Sequence, residues 1–199
     1  MGPLRRAEGQ AICVDGPALG LVETGSIARG IVVADAMVKR AQIRLLLNRP
    51  VSPGKHLCLC SGDVADVQEA MDVGRAQAGT RICDELFLPQ VHSEVIAALA
   101  RSQPTALSED LALGVLETYS AAATLLAADG ACKAADVTLY ELRLCDGIGG
   151  RAFAILVGEQ DMVEAALATG EGLLSPGLFM ASELIARPHP DMLAALLAG

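Results

Sequence analysis

The chain carries one pattern twice, and any fold it adopts must accommodate both copies. Residues 19–41 read L-G-L-V-E-T-G-S-I-A-R-G-I-V-V-A-D-A-M-V-K-R-A, and residues 113–135 read L-G-V-L-E-T-Y-S-A-A-A-T-L-L-A-A-D-G-A-C-K-A-A. The offset that relates Gly20 to Gly114 also relates Lys39 to Lys133. From Gly20 to Ala41, nine positions are identical: Gly20, Glu23, Thr24, Ser26, Ala28, Ala34, Asp35, Lys39 and Ala41. Average composition would give about one or two by chance. The chain therefore reads as a duplicated domain. Each half has about 90 residues, at the small end of what folds alone, so the halves should pack together or the molecule should oligomerise.

The first half begins with an apolar run at Ala18–Thr24, which predicts a strand. Ser26 is a suitable N-cap for a helix reaching about Arg40. Ile27, Ile31, Ala34, Val38 and Ala41 fall at helical spacing, and we expect that face to be buried. Ile43, Leu45 and Leu47 alternate, as on one face of a strand over 43–49, which Pro50 and Pro53-Gly54 should end. A returning strand over 55–61 follows. A helix over 63–78 should bury Val64, Val67, Met71 and Gly74. A strand over 81–88 and a short helix over 91–101 complete the half. The second half repeats this order, with strands over 112–117, 137–144, 153–157 and 179–185, and helices over 120–134, 160–169 and after Pro190. Its central turn, Asp146 to Gly150, is the longer of the two. The expected organisation is a flexible arm over 1–17, a first domain over 18–101, a linker over 102–110 and a second domain over 111–199. Each domain is β-α-β-β-α-β, a ferredoxin-like split βαβ of the α+β class.

Composition narrows the function. The formal net charge of −9 disfavours nucleic acid as a partner. Aromatics are 3%, with no Trp, which favours close helix–sheet layers over an aromatic-lined ligand pocket. No stretch reaches the roughly 18 apolar residues of a membrane span, and no export signal is read. The six cysteines form no C-x-x-C pair and read as small buried hydrophobes of a reducing cytoplasm. Cys58 and Cys60 share one side of a strand and could contribute two thiolates to a metal, but we read them as core. His92 and His189 occupy matching places in the two halves and read as structural. No G-x-S-x-G, H-E-x-x-H or Walker loop occurs, so no catalytic constellation emerges and the chain is not expected to be an enzyme. Gly147-Ile148-Gly149-Gly150 joins two strands and opens no helix, so it is no phosphate cradle.

Together, Val22-Glu23-Thr24, Ser26, Asp35-Ala36-Met37-Val38-Lys39, the Pro53-Gly54-Lys55 turn, Gly62-Asp63-Val64 and Arg187-Pro188-His189 resemble bacterial microcompartment shell domains. The resemblance spans about residues 18–195. Two such domains in the direct, non-permuted order resemble the tandem-domain, trimer-forming class. Ser26-Ile27-Ala28-Arg29-Gly30, Val51-Ser52-Pro53-Gly54-Lys55, Gly147-Ile148-Gly149-Gly150 and Ala186-Arg187-Pro188-His189 are similar to its PduT type.

The resemblance implies a homotrimer shaped as a pseudohexagonal tile in the shell of a cytoplasmic protein organelle. The tile would meet other shell proteins edge to edge and enclose enzymes. It would pass small metabolites through a central pore, with no part for nucleic acid or membrane. It places Val51, Ser52, Pro53, Asp146, Gly147, Ile148 and Gly149 at the pore. It places Lys39, Lys133 and Arg187 at tile edges, with Gln90 where the first half would carry the arginine. In related proteins a cysteine of the first turn holds an iron–sulfur cluster. Here Ser52 stands in that place, and because such clusters are held by thiolates, no cofactor is expected. The alternative is a trimeric small-molecule-binding regulator built from ferredoxin-like repeats. An enzyme with a site between the halves is disfavoured by the few acid–base residues.

Overall fold

The computed structural model describes residues 13–100 and 110–198, with the backbone alone for the last two of these. The linker over 102–110 and the arm over 1–17 therefore lie outside the described residues, apart from Asp110 and residues 13–17. The first domain runs β1 (Ala18–Thr24), α1 (Ile27–Arg40), β2 (Arg44–Val51), β3 (Lys55–Gly62), α2 (Val64–Ala78), β4 (Ile82–Leu88) and α3 (Ser93–Leu99). The second runs β5 (Ala112–Thr118), α4 (Ala121–Ala134), β6 (Thr138–Leu144), β7 (Ala152–Gly158), α5 (Gln160–Gly172), β8 (Phe179–Ile185) and α6 (Pro190–Ala198). Each forms an antiparallel four-stranded sheet, ordered β2-β3-β1-β4 and β6-β7-β5-β8. The registers match: Thr24 faces His56, as Thr118 faces Ala152. This is the expected tandem split βαβ.

The repeated serines start the helices as read. Ser26 Oγ accepts from Arg29 N, and Ser120 Oγ accepts from Ala123 N. Two faces were misassigned by spacing. In α1 the buried stripe is Gly30, Val33, Ala34 and Met37, whereas Ile27, Ile31 and Val38 are exposed. The closest approach to the sheet decides this. A Cβ added at Gly30 would lie 2.4 Å from His56 Cδ2, so the helix settles on its glycine. In β2 a bulge falls between Leu45 and Leu47. Leu45 faces Cys60 and Leu47 faces Leu59, which are neighbours in β3 and point to opposite sides. Leu46, at the bulge, is the leucine that is fully buried. The strand also continues through Pro50 to Val51, which an edge position allows. In α2, Val67, Ala70, Met71, Gly74 and Ala78 are buried, but Val64 is exposed.

The first sheet is covered on both faces. Ala18, Val22, Cys58 and Cys60 pack under α1 and α2. On the other face Leu19, Leu21, Leu57 and Leu59 join a continuous apolar cluster that includes α3 and helix α4 of the second domain. That cluster fuses the halves. The matching face of the second sheet, with Leu113, Ile155 and Val157, meets Leu193 of α6 and carries the half-buried Val115 and Phe153.

Candidate pore turns and the seam between domains

The seam begins at Glu23, a fully buried carboxylate in an apolar strand. Its Oε1 accepts from Lys55 Nζ at 2.5 Å, and its Oε2 from Ala121 N at 2.9 Å, at the start of α4. A helix N-terminus favours such a group. Burial pushes the Glu23 carboxyl above its ordinary range, against the opposing pull of Lys55 and the Ala121 N–H. Burial pulls the Lys55 ammonium down, but the bond and charge of Glu23 outweigh it and hold the group above its usual value. Lys55 Nζ also donates to Tyr119 O at 3.1 Å, and Ser120 Oγ donates to Asp84. Glu23 and Lys55 stood in the sequence motifs, but neither was assigned to a contact between the domains. The visible signal was a glutamate repeated within an apolar strand, and its backbone partner lies 98 residues away.

At the other end of α4, Asp129 is buried and Lys133 half-exposed. Asp129 Oδ1 accepts from His92 N at 2.8 Å. Lys133 Nζ donates to Asp129 Oδ2 and to Gln90 O, both at 2.5 Å. The first-half copy differs. Lys39 bonds Asp35 at 2.6 Å and is 72% exposed. Arg187 is also exposed. The matched histidines do the same local work: Nδ1 of His92 accepts from Glu94 N, and that of His189 from Asp191 N.

The two central turns meet. Val51-Ser52-Pro53-Gly54 closes through Gly54 N to Val51 O at 3.0 Å, and the Ser52–Pro53 bond is cis. Ser52 and Pro53 are exposed, whereas Val51 is buried in the larger core cluster. The longer turn needs positive φ at Cys145, Gly147, Gly149 and Gly150. Gly147 and Gly149 are exposed, and Asp146 and Ile148 half-buried. A Cβ at Gly150 would lie 2.6 Å from Pro53 Cδ, so the turns touch. Arg49 Nη2 reaches across to Asp146 Oδ2 at 2.5 Å.

The cysteine chemistry tests the fit of a cluster. Ser52 offers a hydroxyl. Cys145, the nearest cysteine in sequence to either turn, is buried and donates to Gly150 O at 3.3 Å, and burial pushes its thiol up to about 12. The turns thus offer the hydroxyl of Ser52 and one buried, hydrogen-bonded thiol, whereas iron–sulfur clusters are normally held by thiolates. Burial likewise pushes Cys58 and Cys60 up to about 12, and Cys58 Sγ lies 3.6 Å from Met37 Sδ, as core packing requires. Among the described residues, no group of three or more His, Cys, Asp or Glu could hold a metal. No helix among them is long and apolar enough to cross a membrane.

Two split-βαβ domains in direct order, joined through α4, define a tandem-domain protein of the α+β class. The BMC domain family model matches residues 18–91 and 112–188, and the chain belongs to that family. The chain is 37% identical over 183 residues to the bacterial microcompartment shell protein PduT of Citrobacter freundii, covering 92% of this chain and 98% of that one. It also matches a solved microcompartment protein from Desulfitobacterium hafniense at 43% identity and a TM-score of 0.78, covering 87% of this chain and 96% of that one. A fused permuted hexameric shell protein of the RMM microcompartment, at 21% identity and a TM-score of 0.60, covers 78% and 80% respectively and shares the fold. The chain is a structural shell protein of a bacterial microcompartment, and the regulatory alternative is not favoured.

Proposed function

We propose that three copies close into a pseudohexagonal tile whose six central turns surround a metabolite pore, and that the tile has no catalytic activity. One observation carries the reading. Leu125 of α4 is fully buried at the intra-chain seam, whereas Ile31, its equivalent in α1, is 54% exposed. Ile27, Val32 and Val38 are also exposed beside it. Phe179 and Ile185 of β8 stand exposed, whereas β4, the equivalent strand of the first domain, packs against α4. The molecule thus keeps both halves of a second seam open, α1 on one side and β8 with α6 on the other. A second copy, repeating the internal seam, covers both. Such a head-to-tail contact forms a ring when its rotation closes.

In the ring, Ser52, Pro53, Asp146, Gly147, Ile148 and Gly149 face the axis, with Val51 supporting the first turn from the core. Lys39, Lys133 and Arg187 stand at tile edges that meet other shell proteins, and Gln90 makes alternate edges unequal. The pore carries no iron–sulfur cluster. The shell encloses enzymes, and small metabolites cross through the tile. The test is Ile31→Asp. Wild-type protein should be trimeric by native mass spectrometry and the variant monomeric with unchanged circular dichroism. A trimeric variant would show that α1 does not form the second seam.

A further inference from the structure

We propose that the Arg49–Asp146 pair sets the charge of the pore, holding it neutral so that it passes small uncharged polar molecules. This rests on the reading of the two turns as pore-lining. Asp146 is the one ionisable side chain among the turn residues assigned to the pore, so three copies would bring three carboxylates to the axis. Rings of carboxylates make pores select cations. Here each carboxylate is already held. Arg49 lies on β2 opposite Leu57, on the sheet face away from α1 and α2, which turns it toward the second domain. Its Nη2 meets Asp146 Oδ2 at 2.5 Å, with Arg49 37% and Asp146 40% exposed.

Two other charges nearby are committed elsewhere, while Arg151, which follows the second turn, is exposed and lies outside the residues assigned to the pore. Lys55 is bound to Glu23, and Asp84 accepts from Ser120. Arg49 Nε is buried and has no hydrogen-bond partner, so the Asp146 carboxylate is what fixes the guanidinium. The contact of Gly150 with Pro53 holds the two turns close enough for the pair to form. The first turn contributes the hydroxyl of Ser52 and no charge. The ring is therefore lined by hydroxyls, backbone and neutral pairs. A molecule with hydrogen-bonding groups but no net charge finds partners there, and an ion finds no compensating field. Arg49 acts on the pore through Asp146, as a positioning residue.

The experiment measures the local potential with a thiol at the turn. Ser52→Cys is made in a background carrying Cys13→Ser and Cys83→Ser, which removes the exposed cysteines. Purified protein, with chelator present, is labelled with cationic and anionic methanethiosulfonates, and mass mapping follows position 52. The ratio of cationic to anionic rate is divided by the ratio for a small free thiol in the same buffer. With the pair intact this quotient should lie within about twofold of one. Freed carboxylates about one screening length away should change it severalfold. Arg49→Gln should raise it about five- to tenfold, Asp146→Asn should lower it by a similar factor, and the double variant should return to the starting value. A quotient that ignores Arg49→Gln, or a double variant that does not return, overturns the proposal. Asp146→Asn keeps the test open if Arg49→Gln fails to fold. Native mass spectrometry and particle images of the same samples separate the two readings. A ring whose quotient ignores the pair sinks the pairing alone, whereas a protein that forms no ring sinks the pore and this proposal with it.

Discussion

The two domains solve the same packing problem with opposite side chains, and exchanging them gives a quantitative test. Under α1, Gly30 meets His56; at the matching places of the second domain stand Thr124 and Ala152. A Cβ at position 30 would lie 2.4 Å from His56 Cδ2 and 2.5 Å from both Cβ and Cγ. Because one of these atoms is the histidine Cβ, a rotamer change does not clear the clash, and the helix must lift. Overpacking of this kind puts Gly30→Thr at about 3 kcal/mol. His56→Ala leaves a cavity and costs about 3 kcal/mol, since its partner Asn48 is exposed and can be rehydrated. Independent effects would sum to about 6 kcal/mol. In the double variant the new threonine fills the histidine's space, and Thr24 stands where Thr118 meets Thr124 at 2.6 Å. The double variant should therefore cost about 3 kcal/mol, a coupling of about 3 kcal/mol. Urea unfolding at one fixed protein concentration near pH 7.5 measures all four proteins. Additivity within about 0.5 kcal/mol would refute the steric pairing.

The same variants test a linkage. His56 is buried with Nε2 on Asn48 Oδ1 at 2.7 Å and Nδ1 unpartnered, and burial holds it below its ordinary value of 6.5. β1 offers it Thr24, β2 offers Asn48 and Pro50, and α1 offers Gly30, so none of these neighbours is ionisable. The unfolded chain takes up the proton first. This stabilisation is complete above pH 6.5 and is lost as the pH falls from there toward the folded value, by up to about 1.4 kcal/mol per unit. His56→Ala should lack that slope, and equal slopes in the two proteins would refute the assignment.

Two further outcomes follow from the edges and the turns. Changing Lys39 and Lys133 together to Ala should leave trimers intact and abolish sheets in electron micrographs, and unchanged sheets would sink the edge role. Lys133→Ala alone should destabilise the chain more than Lys39→Ala, because Lys133 also holds Gln90 O. Protein purified without oxygen should contain no stoichiometric iron, and Ser52→Cys should acquire iron and colour on reconstitution. Iron in the wild type, or a colourless variant, would show that the turn has a different geometry.

The sheets and helices were legible because duplication displays each element twice. Ser26 and Ser120 mark the same helix start, and Thr24 and Thr118 the same strand end. Helix faces were less legible where a helix is apolar on two sides. In α1 both the Ile27-Ile31-Val38 stripe and the Gly30-Val33-Met37 stripe have helical spacing, and only the glycine's contact with His56 distinguishes them. The bulge at Leu46 leaves no trace in a run of three leucines, so strict alternation placed Leu45 and Leu47 on one face. The turns were found as turns, but the seam was not. Glu23 with Ala121, Arg49 with Asp146 and Lys133 with Gln90 each join positions that local periodicity cannot relate.

The two copies of the helix face differ in a direction that the proposed assembly explains. Along α4 the seam is built from Ala121, Leu125 and Cys132, and it adds charged contacts at Ser120, Asp129 and Lys133. Along α1 the equivalent apolar positions are Ile27, Ile31 and Val38. Two are larger than their counterparts, and Ile31 is of equal size. On the opposing sheet Asp84 becomes Ala181, whose backbone pairs with Glu117 as that of Asp84 pairs with Glu23. Covalent linkage holds the first pair of surfaces at high effective concentration, so that seam can form with small residues and a precise polar set. A seam between separate chains must first overcome the cost of bringing them together, which falls on buried apolar area. Ile27 and Val38 in place of Ala121 and Cys132 supply that area. The loss of one carboxylate removes a group that would otherwise need a partner on a surface meeting its mate only on assembly. In the proposed assembly the asymmetry of the repeat thus follows from one seam being built into the chain and the other being made between chains.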